Sequence, residues 1–304
     1  ALDIQTHEVG CGHLPLHYSY GLSVLLSHLT RGAPLHLTER GFLDAAFWTQ
    51  MRNWKIAHLP GVPFHYQTLR RLRFDKMALP ELRVMTQAGG ALDIRVRKMA
   101  HDFMSSIGGR FYVMYGQTEA APRITTLSHD DFSKHSETVG PALRGGRLEI
   151  HGESGTPLPT GAEGEVVYFG RNVMMGYAET QTDLRLGDTF QGRLLTGDIG
   201  WLDGDGRLTI TGRNKRAGKI AGLRVNLDEI ESLLARHFGE IAVVQAGENL
   251  MVYYLSSNMM TDLREQAITI LKERFTLPQV AYRFKELEEF PRTSRNKMDY
   301  ARLG

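Results

Sequence analysis

Residues 115–119 (YGQTE) place an aromatic ring, a glycine, a hydroxyl and a carboxylate directly after the apolar run 111–114. Such a run is typical of a buried strand, and ligands of α/β sheets lie beyond the carboxyl ends of the strands. The Thr118 hydroxyl can donate to a phosphate oxygen, and Glu119 is a hard oxygen ligand suited to Mg²⁺. The pattern favours a nucleotide phosphate site, although a strand followed by a polar loop would look the same.

Three later segments also carry residues that suit a phosphorylated ligand. Asp198 lies in LLTGDIGWL, where its carboxylate can accept hydrogen bonds from ribose hydroxyls. GRNKRAGKIAGLRVNLDEIE alternates glycines with basic residues that can meet phosphates, and Lys297 lies in FPRTSRNKMDYARL. Each has an ordinary alternative interpretation: a turn, a solvated basic face and a polar chain end.

The first 120 residues carry the pattern of a parallel sheet with crossover helices. Asp93 is placed to cap a helix whose apolar face holds Val96, Ala100 and Phe103, with Met99 beside them. Residues 83–86 and 111–114 read as buried strands on either side of this helix. The order strand, helix, strand predicts an α/β fold.

Two further zones follow. Residues 121–211 have short alternating strands broken by Gly and Pro, which predicts a small β-barrel or a twisted sheet, with a hairpin turn at 203–206. Residues 213–304 read as a compact α+β unit with strands AVVQAG and LMVYYL and a helix from 261 to 275. Asp228 and Glu231 have the spacing of a capping box that opens another helix.

Composition excludes several classes of protein. The 304 residues carry a net charge of +2, from 36 basic and 34 acidic residues, so no surface for nucleic acid or anionic lipid is expected. The apolar run 22–26 is too short to span a membrane. The single Cys11 cannot form an internal disulfide and fits a cytoplasmic location. Pro15 between His13 and His17 argues against a histidine metal site.

Taken in order, the motifs resemble the adenylate-forming superfamily, which comprises acyl- and aryl-CoA synthetases, adenylation domains of nonribosomal peptide synthetases, and firefly luciferase. The resemblance extends from about residue 14 to the end. It rests on LPLHYSYGLSVLLSHLTRGAPLHL, VMTQAGGAL, YGQTE, GEVVYFGRNVMMGY, LLTGD, GRNKRAGKIAGLRVNLDEIE and PRTSRNKMD. It implies part of a large N-terminal domain, with an α/β sheet and a β-barrel subdomain, followed by a small mobile α+β domain.

The resemblance implies ATP-dependent activation of a carboxylic acid to acyl-AMP, then transfer to the thiol of CoA or of a carrier-protein pantetheine. Thr118 and Glu119 would hold phosphate and Mg²⁺, and Lys297 would stabilise charge during adenylation. At the nucleotide, the resemblance implies Gly89, Gly90, Tyr115 and Gly116 around adenine, and Asp198 and Arg213 at the ribose. The acyl group would be bound by segment 87–90 together with His17, Tyr18, Tyr20 and Gly21. In the small domain, Lys215 would be the hinge, and Lys219 and Gly222 would belong to the loop that acts in the thioester step.

This sequence also departs from the family pattern. The phosphate-gripping loop rich in Ser, Thr and Gly is absent, so we expect a preceding segment or a partner chain to supply it. Gly218 replaces a branched apolar residue, Asn296 replaces a glycine, and Ala91-Leu92 lacks a proline. Three functions therefore stay open: an acid–thiol ligase, a carrier-loading or amide-forming adenylating enzyme, and a noncatalytic nucleotide-binding module.

Overall fold

The computed structural model describes residues 2–178, 180–213, 216–220, 223–247, 249–256, 262–275, 281–293 and 298–303. The chain divides into two compact units. The first consists of Ala1–Thr196 and Trp201–Ile210, and the second of Gly197–Gly200 and Thr211–Gly304.

A six-stranded sheet organises the first unit, with the order β2-β1-β3-β4-β5-β6. The first five strands pair in parallel, and β6 adds an antiparallel edge. This is a doubly wound order, which places the functional edge at the carboxyl ends of the strands. The strands are β1 (Val9–Gly12), β2 (Leu35–Leu37), β3 (Ile56–Gly61), β4 (Val84–Gln87), β5 (Arg110–Gly116) and β6 (Arg123–Leu127).

Five helices accompany this sheet: α1 (Ser19–Arg31), α2 (Ala45–Asn53), α3 (Pro63–Arg71), α4 (Ile94–Ser106) and α5 (His129–His135). The predicted cap is confirmed, since the Asp93 side chain accepts the Arg95 N–H at 2.8 Å. The α/β prediction is confirmed as well, and helix α4 buries Val96, Ala100 and Phe103 on the predicted face.

The alternation of side chains along the strands explains how the sheet is covered on both faces. On β5, Phe111 and Val113 belong to one apolar cluster, whereas Tyr112 and Met114 belong to another. Successive strand residues point to opposite faces, so a continuous apolar run fits a sheet buried on both sides.

Residues 121–196 and 201–210 also belong to the first unit. Strand β6 pairs with β5, so the first sheet extends past the zone boundary expected at residue 120. The second zone is a four-stranded sheet in the order β10-β9-β8-β7, and Ile150, Val166 and Leu208 join the core of the first sheet. Its strands are β7 (Gly146–His151), β8 (Gly164–Gly170), β9 (Arg193–Leu202) and β10 (Leu208–Arg213).

The hairpin turn between β9 and β10 confirms the turn prediction for its aspartates. Asp203 accepts the main-chain N–H groups of Asp205 at 3.0 Å and Arg207 at 2.8 Å. The Arg207 guanidinium also pairs with both carboxylates. Their oxygens therefore hold the turn together.

The second unit has a three-stranded sheet in the order β13-β14-β15 and the antiparallel pair β11-β12. Apolar clusters cover both faces of the larger sheet, with Val243 and Val252 on one side and Ala242 and Tyr253 on the other. The elements are β11 (Ala217–Ile220), β12 (Leu223–Asn226), α6 (Leu227–Phe238), β13 (Ile241–Ala246), β14 (Asn249–Leu255), α7 (Leu263–Arg274) and β15 (Tyr282–Leu287).

The capping box expected at Asp228 and Glu231 is wrong. Helix α6 begins at Leu227, which puts Asp228 inside the first turn. Both carboxylates instead accept hydrogen bonds from the Arg216 guanidinium, and Glu231 also accepts the Val243 N–H at 2.8 Å. The spacing that suits a capping box also suits two carboxylates on one helix face, because residues three apart are neighbours there.

Candidate functional site

The loop that follows β5 is shaped by a close approach of the chain to itself. A Cβ on Gly116 would lie 1.8 Å from the Pro122 carbonyl oxygen and 3.0 Å from the Arg123 Cα. A side chain larger than hydrogen therefore does not fit, and the chain turns back into β6 directly after a single helical turn at Thr118–Ala120.

Four hydrogen bonds hold this loop in place. Gln117 Nε2 donates to the Thr196 carbonyl at 2.7 Å, and the hydroxyls of Thr118 and Ser19 are 2.9 Å apart. Glu119 accepts two hydrogen bonds, each at 2.8 Å. The Met174 N–H donates to its main-chain carbonyl, and the Tyr177 hydroxyl donates to Oε1. The carboxylate pairing raises the Tyr177 pKa. Thr118 itself is exposed and can be reached by a ligand.

The predicted glycines lie at the end of β4, next to this loop in the sheet order. Gly89 has a φ of +83°, and a Cβ there would lie 2.4 Å from the Tyr18 hydroxyl. The Gln87 side chain donates to the Gly90 carbonyl at 2.8 Å, which fixes the turn after the strand. Because Gly89 has no side chain, the Tyr18 hydroxyl lies directly over the backbone.

The residues expected at the acyl group occupy different environments. Tyr18 is buried beside Gly89, and the buried Tyr20 hydroxyl lies 2.7 Å from the Thr86 hydroxyl, with burial raising its pKa to about 12. Gly21 faces the chain itself, since a Cβ there would lie 2.3 Å from the Pro15 carbonyl oxygen. His17 is exposed. The Tyr18 and Tyr20 rings also meet edge to face, with their centroids 6.2 Å apart.

In the second unit, Asp198 and Arg213 are brought together as expected. Arg213 Nε donates to Asp198 Oδ1 at 2.6 Å. The Asp198 side chain is only 2% exposed, whereas that of Arg213 is 59% exposed. The Arg213 main chain also hydrogen-bonds the Asp228 carboxylate, so two acidic groups face one arginine.

Several predicted residues cannot be placed. Lys297, Lys215 and Gly222 lie outside the described residues. The Lys219 backbone pairs with Arg224 between β11 and β12, but its side chain also lies outside the described part.

Magnesium would depend on the nucleotide for most of its ligands. Among the described residues, no three His, Cys, Asp or Glu side chains come together as metal ligands. Mg²⁺ commonly uses one or two carboxylates and takes its other oxygens from phosphate and water. Glu119 offers one carboxylate of this kind in the loop after β5, held by the Tyr177 hydroxyl next to the exposed Thr118.

Sequence reasoning missed four residues that the structure places at or near these sites: Ser19, Arg123, Tyr177 and Arg216. All four lie within or beside quoted motifs, but nothing in their spacing indicated a contact. Cys11 is buried, and burial raises its pKa to about 12, so it is a packing residue. No helix in the described part of the chain has the length and apolar character needed to cross a membrane.

The family model for AMP-binding enzymes matches residues 2–178, more than half of the chain. The chain belongs to the AMP-binding enzyme family. The match covers both the glycine turn after β4 and the loop after β5. The adenylate-forming resemblance of the motifs is thereby confirmed.

Among curated members of this family, 4-coumarate–CoA ligase 2 of Nicotiana tabacum is 28% identical over 98% of this chain and 57% of its own length. The putative acyl-CoA synthetase YngI of Bacillus subtilis is 35% identical over 75% of this chain and 42% of its length. The chain thus spans about half the length of these relatives.

Solved AMP-binding enzymes share the fold. The o-succinylbenzoate CoA synthetase of Bacillus subtilis, in complex with its acyl-adenylate intermediate, has a TM-score of 0.82 and 23% identity, covering 99% of this chain and 62% of that one. The amide bond synthetase McbA of Marinactinospora thermotolerans also has a TM-score of 0.82, with 24% identity, covering 98% of this chain and 61% of that one.

Proposed function

We propose that the protein containing this chain activates a carboxylic acid with ATP and transfers the acyl group to the thiol of CoA. One observation carries the proposal. In a member of the AMP-binding enzyme family, Thr118 and Glu119 lie on a loop fixed by Ser19 and Tyr177 beyond the carboxyl end of β5. The exposed Thr118 hydroxyl and the half-buried Glu119 carboxylate suit a phosphate and its metal ion.

In the first step the acid carboxylate attacks the α-phosphate of ATP and pyrophosphate leaves. Thr118 binds phosphate, and Glu119 would hold a Mg²⁺ ion, which would offset negative charge around the attacked phosphorus. Tyr115, Gly116, Gly89 and Gly90 frame the adenine. In the second step a thiol displaces AMP from the acyl-AMP.

The second unit supplies the remaining roles in this proposal. The Asp198 carboxylate accepts hydrogen bonds from the ribose hydroxyls, and Arg213 Nε lies 2.6 Å from Asp198 Oδ1. Lys297 stabilises the charge that develops in adenylation. The small domain turns about Lys215 between the steps and brings the loop with Lys219 and Gly222 to the active site. In the first unit, Tyr18 and Gly89 lie at the acyl group. The enzyme works in the cytoplasm.

Lys297→Ala separates the two steps. We expect adenylation, measured as acid-dependent pyrophosphate exchange by the full-length protein, to fall by about 10²–10³, the usual effect of one preorganised charge contact. Thioester formation from supplied acyl-AMP should keep its rate. Equal losses in both half-reactions would contradict the role given to Lys297.

Transfer to a carrier protein or an amine is the second candidate. It is favoured by the similarity to the amide bond synthetase McbA, which has a TM-score of 0.82. Offering one acyl-AMP to CoA, to a pantetheinylated carrier and to an amine decides between them. If ATP binds and no acid supports pyrophosphate exchange, the noncatalytic nucleotide-binding module becomes the preferred function.

A further inference from the structure

A segment of the first unit lies across the loop that follows β5. We call this segment, residues 172–177, the strap. At its start, the Asn172 side-chain amide donates to the main-chain carbonyls of Ala120 at 2.6 Å and Arg123 at 3.1 Å. The side-chain oxygen of Asn172 in turn accepts the Tyr168 hydroxyl at 2.8 Å. These bonds attach the strap to the main chain of the loop, at the point where the chain turns into β6.

The strap also reaches the Glu119 side chain. Near its middle, the Met174 N–H donates to the main-chain carbonyl of Glu119, and at its end the Tyr177 hydroxyl donates to Oε1, both at 2.8 Å. No other hydrogen bond or ion pair to the Glu119 carboxylate occurs among the residues that the structure describes. An ionised carboxylate has two oxygens with about four acceptor positions. Tyr177 occupies one of them and leaves Oε2 open.

Contacts with residues farther along the chain hold the Tyr177 ring in place. The ring meets Phe190 edge to face, with the centroids 6.0 Å apart. The Thr189 N–H and hydroxyl both donate to the Met175 carbonyl, at 2.7 and 2.9 Å. The two segments approach so closely that a Cβ on Gly176 would lie 2.5 Å from Thr189 Oγ1. Tyr177 is 66% exposed, so these neighbours, rather than burial, direct its hydroxyl at the carboxylate.

The hydrogen bond from Tyr177 restricts the Glu119 side chain before a cation is present. A free glutamate side chain has several rotatable bonds, and fixing them on binding costs conformational entropy. A side chain that is already held in one conformer loses less entropy, so it binds more tightly. In metal sites generally, ligating carboxylates are themselves hydrogen-bonded, and changing the outer partner weakens metal binding.

We propose that Tyr177 is a positioning residue that sets the affinity of the protein for the Mg²⁺ ion accompanying ATP. This inference rests on the proposed function, in which Glu119 would hold that ion. Tyr177 acts through Glu119: its hydroxyl binds Oε1 and orients the carboxylate, so that Oε2 is the oxygen offered to the cation. Tyr177 takes no part in the bonds that form and break during adenylation.

The test measures ATP binding by the full-length protein without any acid, so that no adenylate can form. Calorimetry gives the dissociation constant of ATP in EDTA and in excess Mg²⁺, and the ratio of the two constants measures the coupling between the ion and the nucleotide. Tyr177→Phe keeps the ring and removes the hydroxyl. We expect it to lower this ratio about fivefold, the effect of losing one exposed hydrogen bond to a metal-binding carboxylate. The affinity for ATP in EDTA should stay close to that of the parent.

Tyr168→Phe is the matched control. It removes a hydroxyl hydrogen bond of the same length, 2.8 Å, from the same strap, but the acceptor is Asn172 rather than Glu119. It should keep the parent ratio. If the two variants lower the ratio equally, the strap acts by supporting the main chain of the loop, and the role given to the Tyr177 hydroxyl is wrong.

A second comparison asks whether Tyr177 acts through the carboxylate. Glu119→Gln removes the charge that the hydroxyl orients, so it should lower the ratio by itself. Adding Tyr177→Phe to Glu119→Gln should then change the ratio no further, because two residues that act as one unit are not additive. A further fall of about fivefold in the double variant would overturn the inference.

Acid-dependent pyrophosphate exchange supplies a test by rescue. Tyr177→Phe should need about fivefold more Mg²⁺ than the parent for half of its maximal rate, and it should reach the parent rate once Mg²⁺ saturates. A reduced rate that Mg²⁺ does not restore would assign Tyr177 a structural role and overturn the inference.

The outcomes separate this inference from the proposed function. If Mg²⁺ does not strengthen ATP binding by the parent, or if Tyr177→Phe keeps the parent ratio, the inference is wrong, whereas exchange with an acid would still support acid activation. Absence of exchange with every acid contradicts the proposed function. Calorimetry then decides the inference alone, because a fall in the ratio for Tyr177→Phe supports it and an unchanged ratio overturns it.

Discussion

Two half-buried arginines, one in each unit, differ in whether acidic groups pair with their positive charge. Arg216 in the second unit bonds Asp228 and Glu231, reaches the Val243 carbonyl, and stacks 3.7 Å from the centre of the Tyr300 ring. Arg123 in the first unit has one serine hydroxyl and an unpaired Nε. Removing a paired cation leaves its carboxylates buried without compensation, whereas an unpaired cation remains available to a ligand.

Removing Arg216 should have the largest effect. Arg216→Met leaves two carboxylates without their cation, and we expect the second unit to lose about 3–5 kcal/mol of stability. Hydrogen exchange of the amides in β13 and β14 measures this loss. Adding Glu231→Gln to Arg216→Met should recover part of it, because one stranded charge is then gone. If Arg216→Met lowers the stability of the second unit by less than about 1 kcal/mol, Arg216 does not differ from Arg123 in the way described.

Acidification should act on the first unit through a buried base. Burial lowers the pKa of His65 to about 4, and its Nδ1 accepts the Val62 N–H at 3.3 Å. The folded state therefore binds fewer protons than the unfolded state between about pH 6.5 and 4. Its stability is present above that window and is lost as the pH falls through it.

We expect about 2 kcal/mol to be lost between pH 7 and pH 5. Urea unfolding followed by tryptophan fluorescence measures it, because Trp48, Trp54 and Trp201 all lie in the first unit. His65→Asn retains a hydrogen-bond acceptor that does not titrate and should show a smaller loss. A parent protein with equal stability at both pH values would refute the argument that burial lowers the pKa of His65.

Removing Arg123 should have the smallest effect on stability. Arg123→Met leaves no carboxylate stranded and gives up one hydrogen bond to Ser23, so we expect a change within about 1 kcal/mol. The same fluorescence experiment measures it, with Arg97→Met as the comparison, since the Arg97 Nε is also buried and unpaired. A loss above about 3 kcal/mol would mean that Arg123 supports the fold as Arg216 does.

Local patterns predicted the elements well where a short stretch decides the structure. The Asp93 cap and the hairpin aspartates depend on bonds to residues at most four positions away, which sequence spacing encodes directly. The capping box failed because Asp228 and Glu231 bond Arg216, a residue twelve positions before the first of them. Tertiary contacts override local preference in such cases.

The candidate site shows the same limit. The sequence identified the Thr118 and Glu119 loop, but not the partners that hold it, since Ser19 lies 99 residues from Thr118 and Tyr177 lies 58 residues from Glu119. An unpaired atom such as Arg123 Nε has no pattern in a sequence at all. It becomes visible only when every neighbour is known.

Cys11 has a practical consequence for measuring motion. Thiol reagents attack the thiolate, and this one cysteine is buried with a pKa raised to about 12, so it should stay silent toward maleimide dyes. A cysteine introduced at an exposed position of either unit would then be the sole labelled site in this chain. Pairs of such labels, one in each unit, would test whether the distance between the units changes when ATP and an acid are added, without first removing the thiol of Cys11.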